Sequence, residues 1–148
     1  MPKRSTPEPK IIGAMVSAVF PEFSEQSVLA KIDTGAYTGA LHYSKLKEKP
    51  GKDGSRVLEF APLGGTKTFT IEEFAISYVK SSNGAREKRY FVDTQIEIEG
   101  IAYSIVLSLA NRGDMKFPVL IGRRFLKQNN FIVDVNHGAL AQKKKEQA

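Results

Sequence analysis

The sequence predicts a small, mostly antiparallel all-β domain with one short helix near its C-terminal end. Three observations lead there. Short apolar and β-branched runs recur along the chain, separated by turn residues. Glycine-containing dipeptides sit where hairpins would reverse. Only "RRFLKQNN" carries a convincing helical signature. Many short strands with such punctuation suggest a closed barrel or a sandwich.

The elements follow in chain order. "IIGAMVSAVF" (11–20) reads as a first strand. Its apolar run is too short to span a bilayer, and no small-residue cleavage site follows it, so a cytoplasmic protein without a signal peptide is expected. "VLEFAPL" and "TKTFTIEEFAI" flank Gly64-Gly65, a hairpin signal. "FAISYVK" and "REKRYFVDTQIEIE" flank "SSNGA", where Asn83-Gly84 is a strong two-residue hairpin cue. "TQIEIE" and "IAYSIVLSL" flank Glu99-Gly100. In the second of these, Tyr103, Ile105, Leu107 and Leu109 fall on one face at period two. The helical stretch begins just after Gly122 and ends at Asn129-Asn130, which can supply a left-handed cap. "FIVDV" then returns to strand.

The bulk properties narrow the function. The chain has 148 residues, the size of one domain. It has no cysteine, which removes disulfides and thiolate metal sites. The net charge is +6. Residues 1–10 and 143–148 each hold a net +2, so only +2 is left for the body. The excess therefore sits on two basic tails, 1–10 and 139–148, read as flexible, around a single domain at 11–138. Nucleic acid is not an expected partner, because the body that would form a binding face is nearly balanced. No membrane association is expected either.

The most informative stretch is "AKIDTGAYTGALHY" (30–43). A lone aspartate is a poor base at neutral pH, with a pKa of about 3.9. A second carboxylate beside it changes that, because two such groups about 3 Å apart share one proton. The pair can activate a water and protonate a leaving nitrogen. "DTG" occurs once in the chain. A required pair then implies a two-fold homodimer, with one Asp33 from each copy. Gly35 permits a tight backbone where two loops approach, and the Thr34 hydroxyl can lock loop to loop. The same tripeptide is also an ordinary turn.

"PVLIGRRFL" (118–126) supplies a second motif: two apolar residues, Gly122, then a helix start. In order and separation, "KIDTGA" and "LIGRRFL" resemble the two motifs of the retropepsins, the dimeric aspartic proteases of retroviral type. "KRYFVDTQIEIEGIAYSIVLSL" resembles the strands that follow the retropepsin flap. "AKIDTGAYTGALH", "VKSSNGAREKR", "SLANRGDMKFPVLIGRRFL" and "FIVDV" resemble more closely a bacterial family of retropepsin-like proteins, sometimes labelled ATP-dependent zinc proteases. The likeness runs from about Ile11 to Val135.

The resemblance implies a retropepsin-like closed barrel (the acid protease fold) and an aspartic endopeptidase acting on peptides or proteins as a homodimer. It implies Asp33, Thr34 and Gly35 as the catalytic loop. Ala36 would lie beneath the substrate backbone. Ser82, Asn83 and Gly84 would form the tip of a flap contacting substrate. Arg123 would help hold the loop or the dimer, with an ion pair as one reading, and "FIVDV" would interleave between subunits. Arg112 and Asp114 are further charged residues near the second motif. Two positions depart from the family, which commonly has a basic residue at Tyr37 and a serine or threonine near Gly39.

No cofactor and no metal are expected. The chain has neither a Gly-x-x-x-x-Gly-Lys loop nor a His-Glu-x-x-His motif. A closed zinc site built from its two histidines, His42 and His137, would need carboxylates. His42 reads best as a hydrogen-bonded structural residue. The alternatives are a dimeric peptide-binding module on the same fold with weak catalysis and, more remotely, a zinc-dependent hydrolase.

Overall fold

A computed structural model describes residues 8–80, 83–113 and 116–137. Eleven strands and one helix are present among them: β1 (Lys10–Ile12), β2 (Met15–Val19), β3 (Ser27–Ile32), β4 (Gly39–Pro50), β5 (Arg56–Pro62), β6 (Phe69–Ile71), β7 (Ala75–Lys80), β8 (Arg86–Ile98), β9 (Ile101–Ala110), β10 (Val119–Ile121), α1 (Arg123–Gln128) and β11 (Phe131–Val133). The strand-rich reading with one late helix holds.

Six strands close into a barrel, in the order β3, β2, β8, β9, β4, β10 and back to β3. Closure depends on β10, which pairs in parallel with β3 and antiparallel with β4. A strand from late in the chain thus lies between two that are consecutive in sequence. Closing the sheet on itself removes exposed barrel edges. The pairing is less uniformly antiparallel than expected, because β4–β9 and β1–β11 are also parallel. Tyr103, Ile105, Leu107 and Leu109 all point into the barrel core with Leu41, Leu58, Phe60, Ile96 and Ile121.

The Glu99-Gly100 hairpin is as the dipeptide predicts. Both residues have positive φ, +52° and +79°, which a two-residue turn matching strand twist requires. Asn130 likewise adopts the left-handed conformation, with φ +55°, just past α1.

Two elements differ from expectation. The apolar run 11–20 is two strands, because the backbone breaks at Gly13. A Cβ there would lie 2.4 Å from the His137 carbonyl oxygen. The break sends β1 to pair with β11 and β2 into the barrel. The Gly64-Gly65 region does turn, with Leu63 and Gly64 at positive φ and Gly65 N–H donating to the Pro62 carbonyl at 3.2 Å. Its return run splits into β6 and β7, and only Phe69–Ile71 pairs with β5.

Beyond Tyr43, β4 leaves the barrel ladder and runs with β5 and β6 as an arm whose Leu58 and Phe60 still pack into the core. The β7–β8 hairpin projects as well: residues 86–90 pair only with β7, and the β8–β9 ladder begins at Phe91. No helix among the described residues is long and apolar enough to cross a membrane.

Candidate active site

The Asp33 loop joins β3 to β4 by passing around the end of β10. Its shape follows from backbone bonds to that strand and to α1. Asp33 N–H donates to the Ile121 carbonyl at 2.8 Å. Arg123 and Arg124, at the start of α1, donate their N–H groups to the carbonyls of Ala36 and Tyr37 at 2.8 and 2.9 Å. The second motif therefore clasps the first.

Two glycines make the clasp sterically feasible. A Cβ on Gly122 would meet the Tyr37 carbonyl oxygen at 2.5 Å and Gly39 N at 2.8 Å. A Cβ on Gly39 would meet the Leu120 carbonyl oxygen at 2.3 Å, and Gly39 also has φ +88°. Glycine at 39 is thus an architectural requirement in this chain, so a serine or threonine can stand near it but not on it. Buried Ser108 completes the junction by donating its hydroxyl to the Gly39 carbonyl at 2.8 Å.

Within the loop, the Asp33 carboxylate is half-buried, while Thr34 and Gly35 are exposed. Asp33 Oδ1 accepts the Gly35 N–H at 3.0 Å, fixing the carboxylate plane. Among the described residues Arg123 has no acidic partner. Its guanidinium is exposed, donates to the Thr34 carbonyl at 2.9 Å and lies 5.8 Å from the Tyr37 ring centroid. Holding a carbonyl suits it, because that acceptor fixes the loop's backbone directly.

A cleft of about 490 Å³ opens beside this loop. Ala36, Gly39 and Leu120 line one side; Tyr43 and Leu46 come from the arm; Glu87 to Tyr90 come from the projecting hairpin; Asn111 and Arg112 close one end. The expected flap is therefore present as a β7–β8 hairpin facing the Asp33 loop across a cleft. Ala36 is among the residues lining it. Asn83 and Gly84 sit in the exposed turn of the hairpin, where the Asn83 side chain accepts the Ala85 N–H at 3.1 Å and Gly84 has φ +85°; they do not line the cleft. Ser82 and Asp114 lie outside the described residues.

His42 takes the structural role expected of it. Its Nδ1 accepts the Arg112 N–H at 2.8 Å, while Arg112 Nε donates to the Phe117 carbonyl at 3.1 Å. The histidine's backbone bonds Pro118 and Leu63, so one residue staples three loops behind the cleft. Among the described residues no three histidine, aspartate or glutamate side chains gather as a metal site.

One further cluster has no local signature in the sequence. Glu48 on the arm accepts the Tyr90 hydroxyl at 2.6 Å and the Lys88 ammonium at 2.7 Å. These partners are 42 and 40 positions away, and no local pattern links them.

Comparison with known proteins agrees with the two motifs. A family model described as RimB-like, retropepsin-like aspartic endopeptidase RimB, matches residues 11–144. A solved Legionella pneumophila protein of unknown function (DUF785) superposes with a TM-score of 0.65 at 29% identity, covering 84% of this chain and 92% of that one. A probable alpha-L-glutamate ligase of Shewanella pealeana is 30% identical over 129 residues, and one of Desulfotalea psychrophila 27% over 143. Those alignments cover 84% and 93% of this chain but only 28% and 31% of the ligases.

Proposed function

Since the chain belongs to the retropepsin-like aspartic endopeptidase family, we propose that it hydrolyses peptide bonds with a water held between two Asp33 carboxylates, one from each of two copies. The observation that carries this is the Asp33 loop itself. It offers one half-buried, oriented carboxylate with Thr34 and Gly35 exposed beside it. A second copy meeting that loop would complete the dyad.

In the proposed reaction one carboxyl is ionised and the other protonated. The ionised group takes a proton from water as its oxygen attacks the scissile carbonyl carbon. The protonated group donates to the carbonyl oxygen, giving a neutral tetrahedral diol. Collapse breaks the C–N bond: the protonated carboxyl passes its proton to the leaving nitrogen while one diol hydroxyl gives its proton to the ionised carboxylate. The pair ends with one shared proton, as it began.

Two further features support the reading. Ile11 and Ile132 are direct register partners in the β1–β11 pair and are each 53% exposed, with Val135 at 68%. That apolar face suits burial against a second copy. Within one copy β11 pairs with β1, and a second copy would add to that sheet. As for substrate, Arg112 lines the cleft beside the Lys88–Glu48 and Arg89–Glu87 pairs, and relatives that contain a similar segment are named for glutamate ligation. Together these favour glutamate-containing peptides.

The test is cleavage of glutamate-rich and neutral peptide sets between about pH 4 and 7.5, comparing wild type with Asp33→Asn at several protein concentrations. The expected result is a fall of at least about 10³-fold in the variant. Wild-type activity should rise faster than linearly with protein. Equal rates for the two proteins would refute the mechanism. A folded dimer that binds these peptides but never cleaves them would favour the binding-module alternative.

A further inference from the structure

The arm and the flap extend past the barrel ladders at different places, both packed on the core at their bases, and one carboxylate joins them. Glu48 lies near the far end of β4, four register pairs beyond the Tyr43–Pro62 pair where the arm begins. Its side chain is only 15% exposed. Oε1 accepts both the Tyr90 hydroxyl and the Lys88 ammonium, and Oε2 accepts Arg56 Nη2 at 3.4 Å. Tyr90 also packs its ring 6.0 Å from that of Phe74, which precedes β7.

The arm does not need this contact to fold. It has its own β4–β5 ladder from Tyr43–Pro62 to Pro50–Arg56 and a cross-strand Lys49–Glu59 pair. Nor does the hairpin, whose ladder runs from Ala75–Phe91 to Lys80–Arg86. What the Glu48 contacts determine is the position of one projection relative to the other. Both donors lie on the portion of β8 before the β8–β9 ladder begins, although Tyr90 still packs against the core. Both projections also wall the same cleft, Tyr43 and Leu46 on one side and Glu87 to Tyr90 on the other.

We propose that Glu48 is a positioning residue that latches the flap hairpin to the β4–β5 arm and thereby sets the width of the cleft beside Asp33. Opening the flap breaks the Tyr90 and Lys88 contacts together, and closing remakes them. Only the catalytic consequence rests on the peptidase reading. The latch is a property of the fold and is tested without turnover.

The absence of native cysteine makes the test direct. Nitroxide labels at Lys52→Cys on the arm turn and Ala85→Cys on the hairpin turn report their separation by pulsed dipolar spectroscopy. Labelled chains are diluted in unlabelled protein, so that a dimer carries one pair. A second pair, Lys31→Cys and Gln95→Cys, reports across barrel strands. Glu48→Gln should broaden the arm–hairpin distribution on the order of two-fold and leave the barrel pair unchanged. Tyr90→Phe, which removes one donor, should give an intermediate width. Salt of about 1 M, where screening acts over about 3 Å, should broaden wild type toward the variant and leave the variant unmoved. An arm–hairpin distribution identical in wild type and Glu48→Gln overturns the proposal. So does equal broadening of the barrel pair, which would mark Glu48 as merely structural.

Discussion

Replacing Gly122 by alanine isolates one physical cost at the centre of the site. Its φ of −94° and ψ of 179° suit any residue, so the backbone carries no penalty. Everything comes from the new methyl group, which would stand 2.5 Å from the Tyr37 carbonyl oxygen, 2.7 Å from its carbon and 2.8 Å from Gly39 N. All three are backbone atoms of the chain leaving the Asp33 loop, and none can rotate aside. The oxygen would have to retreat by roughly 0.9 Å, from 2.5 Å to ordinary contact at 3.4 Å. Overpacking of this kind costs about 2–3 kcal/mol. At about 4 °C per kcal/mol for a domain of this size, the melting temperature should fall by about 8–12 °C. Calorimetry of the purified variant reads that directly. Gly54→Ala is the matched control: Gly54 has φ +84° and nothing within 4 Å, so it reports conformational strain alone, about 1–2 kcal/mol. The shift also falls on the reacting geometry, and a misplacement near 1 Å should lower kcat/KM by about 10²-fold. A Gly122→Ala protein within about 0.5 kcal/mol of wild type would refute the reasoning, because it would show the Tyr37 backbone free to move.

Two other perturbations have defined outcomes. His42→Ala removes the acceptor of the Arg112 N–H and should cost about 1–2 kcal/mol, read by denaturant unfolding; an unchanged midpoint would mean that bond contributes nothing. Hydrogen bonds from Lys88, then Tyr90, hold the Glu48 carboxyl down from its ordinary 4.5 to about 2. Because the folded value is the lower one, the stabilisation is complete above about pH 4.5 and is lost as pH falls toward 2. Glu48→Gln should flatten the acid limb of the melting curve in that window, and an unaltered limb would exclude the contribution.

What could be read in advance divides along a physical line. The Glu99-Gly100 turn, the Asn130 cap and the single face of β9 are local, set by a few neighbouring residues, and all were legible. So was the Asp33 loop, because its chemistry is contiguous. The split of residues 11–20 was not, since the cause is a carbonyl 124 positions later. Arg123 was expected to hold the loop or the dimer; that it does so through the Thr34 carbonyl, 89 positions away, was not legible. Gly39 read as a departure from a family pattern, and only its contact with Leu120 and Gly122 shows why no side chain fits. Glu48 drew no notice, because a surface glutamate is unremarkable until the hairpin it grips is folded against it.

The position of β10 has a consequence for how the molecule is made. The Asp33 loop is bounded by β3 and β4, which a ribosome delivers early, yet both take their shared partner from Val119–Ile121. Until that segment emerges, the two early strands flank a gap and Asp33 has no Ile121 carbonyl to anchor it. Pairings across such long separations form late. A nascent or truncated chain lacking its last thirty or so residues therefore holds the aspartate without the shaped loop. Loop geometry is withheld until the domain is almost wholly synthesised.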